Sequence, residues 1–212
     1  MIRVAIASGH TLLRQGLAAL LTGLPDIELV AHAGNPQDLR AEVEQAGPDV
    51  VLLDPRLPGG DVVEVIRHIA GDDRGTKVLV VDRRAGSALS IRALRAGAHG
   101  LLDGRADLEE LSNAVREVHN GKRHLPSATQ ATLAEMYLDP SESASPADLL
   151  SEREFQVMCL LASGASSREA AERLNISVKT VDSHRGNLLK KLGLRNNADL
   201  ARFALAHGYV EE

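Results

Sequence analysis

Residues 49–60 read DVVLLDPRLPGG, and this stretch decides the fold of the first half of the chain. Its consecutive apolar residues fit a strand that is buried on both faces of a sheet. Asp54 ends the apolar run and is followed by a turn rich in Pro and Gly. In open α/β folds, ligands bind beyond the carboxyl ends of the parallel strands. We therefore predict that Asp54 lies at a site on the edge of a parallel sheet.

The segments around this stretch alternate between strand-like and helix-like patterns. Strands are predicted over residues 3–7, 28–33, 50–53, 77–81 and 100–102. Helices are predicted between and after them, over residues 12–22, 36–45, 61–69, 87–95 and 108–120. Such a series of βα units predicts an α/β domain over residues 1–122, with a flavodoxin-like (βα)5 doubly wound parallel sheet.

A linker and a second domain follow. Residues 139–146 read DPSESASP, which is typical of a linker, and we place the linker at 123–148 with a helix near 126–138 that Ser127 caps. Residues 149–212 predict an all-α domain of four helices, whose first, third and fourth helices are capped by Ser151, Ser177 and Asn197. A basic third helix that follows a short turn fits a helix-turn-helix.

Composition excludes several classes of protein. The 212-residue chain is 44% apolar, and no apolar run approaches the ~20 residues of a membrane-spanning helix. Its first residues lack a signal-peptide core, so we expect a cytoplasmic protein. Residues 1–148 carry 15 Lys and Arg against 21 Asp and Glu, whereas residues 149–212 carry 9 against 8. A basic stripe over 177–195 indicates a nucleic-acid partner, with a merely solvated helix face as the alternative.

The last 60 or so residues resemble the helix-turn-helix of the LuxR/FixJ superfamily. The matching motifs are LSERE at 150–154, ASG at 162–164, EAA at 169–171, LNIS at 174–177, KTV at 179–181 and KLG at 191–193. The resemblance implies that the domain binds double-stranded DNA through its third helix, residues 178–192.

Helical periodicity divides this third helix into a docking face and a DNA face. Val178, Val181 and Leu188 belong to an apolar stripe that would pack on the other helices. The predicted DNA-binding residues are Lys179, Thr180, Ser183, His184, Arg185, Asn187, Lys190 and Lys191. The lysines and Thr180 suit phosphates, and the Arg and Asn side chains suit base edges. A bridging role for His184 and simple solvation of Lys190 are alternatives.

The fourth helix resembles the dimerisation helix of the family, and we expect a homodimer. Leu200, Phe203 and Ala204 lie on one face of this helix and are the dimerisation candidates. Packing of the same residues inside the domain is the alternative.

Residues 1–122 resemble a response-regulator receiver of the NarL/FixJ type. The motifs are IRV at 2–4, LRQGL at 13–17, PDVVLLD at 48–54, LPG at 57–59 and ALRAGA at 93–98. The resemblance places Asp54 at the phosphoacceptor position. It also implies two adjacent acids for Mg²⁺ after the first strand, a Thr or Ser after the fourth and a Lys after the fifth. The residues found there are Ser8-Gly9, Asp82 and Gly104.

These departures alter the predicted pocket, which comprises Ser8, Gly9, His10, Asp82, Asp103 and Gly104 around Asp54. Phosphoryl transfer to a carboxylate brings anions together, and a metal and a Lys normally neutralise them. A like charge ~4 Å away costs about 4 kcal/mol, roughly a thousandfold in rate. We therefore predict that Mg²⁺-dependent phosphorylation does not switch Asp54, and we assign no catalytic residue, metal or cofactor.

Several interpretations of this pocket stay open. Asp54 pairs with Arg56, Arg83 or Arg84 in a constitutive dimerisation scaffold, or the cleft binds a small molecule or a partner protein. Asp54 and Asp82 sharing a proton would instead report pH. The rival functions are a conventional regulator phosphorylated on Asp54 and an enzyme that uses Asp54, Asp82 and Asp103. No P-loop, dinucleotide-binding or zinc motif supports the enzyme.

Overall fold

The computed structural model describes residues 1–58, 62–72, 74–83, 87–138 and 146–210. The chain divides into two compact units, residues 1–132 and residues 133–212. The first unit is an α/β domain and the second is helical. Both fold classes agree with the prediction, and the division falls inside the helix predicted near 126–138. The domain boundaries proposed from the sequence stay a prediction.

The strands of the first unit form one parallel sheet in the order β2-β1-β3-β4-β5. They span β1 (Ile2–Ala7), β2 (Ile27–Ala33), β3 (Val50–Leu53), β4 (Lys77–Asp82) and β5 (Gly100–Asp103). All the predicted strands are confirmed, with ends that differ by one residue at most. β3 is buried at every position, because helices cover both faces of the sheet.

The helices that follow the strands are also confirmed. They span α1 (Thr11–Thr22), α2 (Pro36–Ala46), α3 (Val62–Ala70), α4 (Ala88–Arg95) and α5 (Leu108–His119). Asp61, the predicted first residue of α3, lies outside the described residues. Side chains of Asn35, Ser87 and Asp107 cap α2, α4 and α5 by accepting a backbone N–H of the first turn.

Alternate residues of the central strands face two separate apolar layers. Val51 and Val80 point toward α2, α3 and α4, whereas Leu52 and Leu79 point toward α1 and α5. This alternation follows from the two-residue period of a strand. The layers fix the strand ends, and therefore the positions of the side chains beyond them.

The chain after α5 returns to the free edge of β5. Leu101 donates its N–H to the carbonyl of His124 at 2.8 Å, and a Cβ at Gly100 would lie 2.9 Å from the same oxygen. Leu125 packs against the apolar layer on the α2–α4 side. The packing of the first unit therefore extends beyond residue 122.

The helix predicted near 126–138 is confirmed as α6 (Ser127–Leu138). Ser127 is its first residue rather than its cap, because the carbonyl of Pro126 already accepts the helical hydrogen bond from Gln130. Residues 139–145, which make up most of the DPSESASP stretch in the predicted linker, lie outside the described residues.

After residue 145, the second unit contains a 3₁₀ turn (Pro146–Leu149), α7 (Glu152–Ala162), α8 (Ser167–Leu174), α9 (Val178–Leu192) and α10 (Asn197–Ala206). Its core contains Met158, Leu188 and Leu200, all fully buried. The prediction that Asn197 caps the fourth helix is wrong. The Asn196 side chain accepts the N–H of Asp199 at 2.9 Å, so the helix begins one residue earlier. Across the described ranges, no helix is long and apolar enough to cross a membrane.

Candidate functional site

The predicted pocket lies at the carboxyl edge of the sheet. Strand register aligns Ala7 with Leu53 and Asp82 with Asp103. The residues that follow β1 and β3 are therefore neighbours, and β4 and β5 end side by side. The fold thus brings the polar side chains of four strand ends to one edge, as the sequence predicted.

Asp54 is buried, and both of its carboxylate oxygens accept hydrogen bonds, from residues just after β1 and from its own turn. Its Oδ2 accepts a hydrogen bond from Ser8 Oγ at 2.7 Å and lies 3.3 Å from His10 Nδ1. Its Oδ1 accepts the backbone N–H of Arg56 at 2.9 Å. The expected ion pair between Asp54 and Arg56 or Arg83 is therefore wrong, because a hydroxyl, an imidazole and a backbone amide take those positions. Arg84 lies outside the described residues.

Asp82 is the residue that the Arg56 guanidinium contacts. Arg56 donates to Oδ1 at 2.7 Å, and the hydroxyls of Ser87 and Ser90 each donate to Oδ2 at 2.6 Å. Burial alone raises the pKa of Asp82, but the hydrogen bonds from Ser87, Ser90 and Arg56 outweigh burial and hold this pKa below its ordinary value. Asp82 is thus an ionised, neutralised carboxylate rather than the uncompensated charge beside Asp54 that the sequence suggested.

The space beside Asp54 does not fit a magnesium site. A Cβ at Gly9 would lie 2.4 Å from Cδ and 2.7 Å from Cγ of Pro58, so a carboxylate at position 9 requires Pro58 to move. Ser8 supplies a hydroxyl that is already donated to Asp54, whereas Mg²⁺ is usually held by carboxylates and phosphates. Within the described ranges, no group of three His, Cys, Asp or Glu side chains is arranged to hold a metal ion.

Asp103 and Gly104 occupy the fifth-strand end of the pocket. Asp103 accepts hydrogen bonds from the backbone and guanidinium of Arg105, which hold the pKa of Asp103 below its ordinary value. A Cβ at Gly104 would lie 3.2 Å from Cα of Arg83, which is tight for any side chain. The three carboxylates of the pocket therefore each have separate partners, an arrangement that does not support the acidic-cluster enzyme.

The second candidate site is the helix-turn-helix formed by α8 and α9. The turn bends at Asn175, whose φ of 52° is left-handed, and Ser177 caps α9 by accepting the N–H of Thr180. Val181 and Leu188 are buried and attach α9 to its neighbours. Val178 is 43% exposed and does not belong to the docking stripe, because it stands in the first turn, beyond the reach of the core.

Comparison with known proteins decides the family. A model of the response regulator receiver domain matches residues 4–116, and a model of bacterial regulatory proteins of the luxR family matches residues 148–204. Response regulator UvrY of Escherichia coli K12 is 32% identical over 208 residues, which cover 98% of this chain and 95% of UvrY. The chain is a response regulator. Residues 148–204 of its second unit form a DNA-binding domain of the LuxR type.

Further similarities agree with this assignment. Response regulator GacA of Pseudomonas aeruginosa is 31% identical over 211 residues, which cover 100% of this chain and 99% of GacA. A structure of RcsB from Salmonella typhimurium has a TM-score of 0.75 at 21% identity, covers 95% of this chain and 96% of that chain, and shows the likeness of fold.

In this response regulator, the predicted DNA-binding residues of α9 differ in exposure. Five of them are exposed: Lys179, Ser183, Asn187, Lys190 and Lys191. The other three are half-buried: Thr180, His184 and Arg185. Exposure at 179, 183 and 190 follows the helical repeat and defines one outward face. Arg185 donates to Oδ1 of Asn197 at 2.7 Å, so its guanidinium already has a partner within the domain.

Lys191 has a structural partner that the sequence did not reveal. Its Nζ lies 2.7 Å from Oε2 of Glu154, whose side chain is 5% exposed. Glu154 also accepts the backbone N–H of Ser151, as the predicted capping box requires, and in addition the Ser151 hydroxyl. Burial raises the pKa of Glu154, but the bonds from Lys191 and Ser151 outweigh burial and lower that pKa overall. The assignment of Lys191 to a phosphate therefore competes with this ion pair.

The dimerisation candidates of α10 are mostly part of the core. Leu200 and Ala204 are fully buried within the second unit, which confirms the alternative of packing inside the domain. Phe203 is half-buried, with its ring 4.2 Å from that of His207 and 5.9 Å from that of Tyr209. Leu200 and Ala204 are not accessible to a second molecule, so only the remaining surface of α10 is available to one.

Two residues of the receiver pocket were missed. Ser87 and Ser90 stand at the cap and third position of α4, and their hydroxyls both bond Asp82. A Ser-x-x-Ser sequence just after a strand that ends in Asp is the signal that would have indicated them.

Proposed function

We propose that this response regulator binds specific DNA sequences without control by Mg²⁺-dependent phosphorylation of Asp54. The observation that supports this most is the position of the Pro58 ring, 2.4 Å from where a Cβ at position 9 would lie, so that a second acidic metal ligand there requires Pro58 to move. The Asp82 carboxylate stands where a hydroxyl would bind a phosphoryl group, and it is committed to Arg56, Ser87 and Ser90. A phosphoryl group on Asp54 would lack the compensating cations that stabilise it.

For DNA, we propose that the exposed face of α9 enters the major groove. Lys179 and Lys190 would contact phosphates, since point charges displace counterions without reading sequence. Ser183 and Asn187 would contact base edges. Arg185 joins them only after it releases Asn197. Lys191 is the weakest of the predicted contacts, because its ammonium group binds Glu154.

We propose a cytoplasmic homodimer that binds two half-sites about one helical turn, ~34–36 Å, apart. A structure that resembles this chain is described as two RcsB dimers bound to two parallel DNAs. The signal that acts on the receiver is then dimerisation itself, or a small-molecule or protein ligand that contacts the 61% exposed His10 side chain above Asp54. A conventional regulator phosphorylated on Asp54 is the competing function.

The deciding experiment measures DNA affinity under four conditions. Fragments enriched from a random DNA library by the purified protein serve as probes in fluorescence anisotropy. The conditions are wild type, wild type with a small phosphodonor and Mg²⁺, Asp54→Asn, and Asp54→Ala. Equal affinity of the first three is expected. Intact mass spectrometry accompanies each sample, and stoichiometric addition of one phosphoryl group that also tightens binding would establish the conventional regulator instead.

A further inference from the structure

Three residues with nitrogen donors lie at the amino edge of the sheet, opposite to the edge that carries Asp54. Lys77 is the first residue of β4, and His99 directly precedes β5. Arg123 lies in the segment that returns from α5 to the free edge of β5. The parallel strands all begin at this edge, so the fold brings the three residues together from separate segments.

The backbone of β4 fixes the ring of His99. Val78 donates its N–H to His99 Nδ1 at 3.2 Å, and the carbonyl of Val78 accepts the N–H of His99 at 2.7 Å. Because Nδ1 accepts a hydrogen bond, the neutral ring carries its proton on Nε2. His99 is half-buried, and within the described ranges its Nε2 has no hydrogen-bond partner. His99 therefore presents one oriented N–H donor at this edge.

Lys77 and Arg123 add two positive charges beside this donor. Arg123 donates to the carbonyl of Ala98 at 2.7 Å, which holds its guanidinium next to His99. Lys77 is half-buried and directly precedes Val78 in β4. In the part of the chain that the structure describes, neither cation forms an ion pair. Burial, and then the charges of Lys77 and Arg123, lower the pKa of His99, so both cations act on the imidazole.

The charge balance at this edge favours an anionic ligand. Residues 1–148 carry 15 Lys and Arg against 21 Asp and Glu, so carboxylates outnumber the cations that they could pair with. The carboxylates of adjoining segments nevertheless have other partners. Asp49 accepts the backbone N–H of Arg3 at 2.8 Å, and Glu117 lies 2.8 Å from Nδ1 of His124. Two like charges held close together cost free energy, which an anion between them offsets.

We propose that Lys77, His99 and Arg123 bind a phosphoryl group, either of a small phosphate monoester or of inorganic phosphate. A phosphoryl group carries nearly two negative charges at pH 7 and three acceptor oxygens. It therefore matches two cations and three donors, whereas a carboxylate offers two oxygens and one charge. The bound group would join β4, β5 and the segment that leads into α6. The site belongs neither to the Asp54 pocket nor to α9, so it does not depend on the proposed function.

The test measures binding of inorganic phosphate and of glycerol phosphate to the full-length chain by isothermal titration calorimetry. Lys77→Gln and Arg123→Gln are each expected to weaken binding about tenfold, because each removes one charge-assisted hydrogen bond. Lys122→Gln is the matched control, since Lys122 is exposed and precedes Arg123, and this variant is expected to bind like wild type. Tighter binding of glycerol phosphate assigns the site to a monoester, and equal or weaker binding assigns it to inorganic phosphate.

Thermal unfolding separates a ligand site from a purely structural cluster. Without phosphate, Lys77→Gln is expected to keep or raise Tm, because the substitution relieves repulsion between cations. Phosphate is expected to raise Tm of the wild type and to raise that of Lys77→Gln much less. A lower Tm of Lys77→Gln without phosphate would overturn the proposal in favour of a structural role. Equal phosphate affinity of wild type, Lys77→Gln and Arg123→Gln, or an equal Tm rise in potassium chloride of matched ionic strength, would also overturn the site.

Discussion

Replacing Lys191 by Ala is expected to destabilise the second unit, although the sequence alone assigns this residue to DNA. The substitution removes the 2.7 Å hydrogen bond from Lys191 to Glu154. The Glu154 side chain, which is 5% exposed, then keeps only its contacts with Ser151. A hydrogen bond to a charged group contributes ~1.5–3 kcal/mol. Lys191 is 42% exposed, so solvent screening reduces this contribution, and we expect a loss of about 1–2 kcal/mol.

Lys190 provides the matched control, since it is the neighbouring lysine and is exposed. Lys190→Ala is expected to leave stability within about 0.5 kcal/mol of wild type and to lower the salt dependence of DNA binding by about one counterion. For a unit of this size, 1 kcal/mol corresponds to a Tm change of about 4–8 °C. Differential scanning calorimetry of the full chain measures the change, and hydrogen exchange in α7 and α9 assigns the transition to the second unit.

The pH dependence gives a second measurement of the same ion pair. The pKa of Glu154 is lowered from 4.5 in the folded chain, so its contribution to stability is complete above about pH 4.5 and is lost as pH falls through the folded pKa. Lys191→Ala is expected to flatten this loss. Equal stability of the Lys191 and Lys190 variants at pH 7, with an equal drop in salt dependence, would refute the structural role of Lys191 and restore its assignment to phosphate.

Three further predictions concern the first unit, each measured by denaturant unfolding. Arg56→Met leaves Asp82 buried without its guanidinium and is expected to cost about 3 kcal/mol, and a loss below 1 kcal/mol would contradict the pairing. Gly9→Ala is expected to cost about 1–3 kcal/mol through contact with Pro58, whereas a stabilised variant would show that this space is open. Burial, Lys77 and Arg123 lower the pKa of His99 from 6.5, so its neutral ring contributes stability that is complete above pH 6.5 and is lost as pH falls toward the folded pKa. His99→Gln should reduce the dependence of the free energy of unfolding on pH. An unchanged dependence between pH 7.5 and 5.5 would exclude His99 as its source.

The sequence predicts the elements of this fold well because local signals agree with the tertiary ones. Apolar runs such as 50–53 are long enough to mark buried strands, and the capping box at Ser151 and Glu154 marks the start of α7. The predicted start of the fourth helix is wrong by one residue, because Asn196 and Asn197 are equally good N-cap residues. Only the backbone conformation distinguishes them.

The pairing of side chains was much harder to predict than the elements. Arg56 follows Asp54 closely in the sequence, yet its guanidinium reaches across to Asp82 on the neighbouring strand. The pairing of the Arg56 guanidinium with Asp82 depends on the strand order. It also depends on the backbone amide of Arg56, which already donates a hydrogen bond to Asp54. Lys191 and Glu154 are separated by 37 positions and lie on different helices, so no local period connects them.

The contact between Gly9 and Pro58 also restricts how this receiver can change by mutation. An acidic residue at position 9 must first displace the Pro58 ring, so a single substitution there lowers stability before it supplies a metal ligand. Replacing Pro58 alone opens the space but adds no carboxylate. An acidic pair after β1 therefore requires changes at Ser8 and Gly9 together with a change at Pro58 in a separate loop. Packing between these two loops therefore opposes an acidic pair at this edge of the sheet, whatever signal the receiver answers.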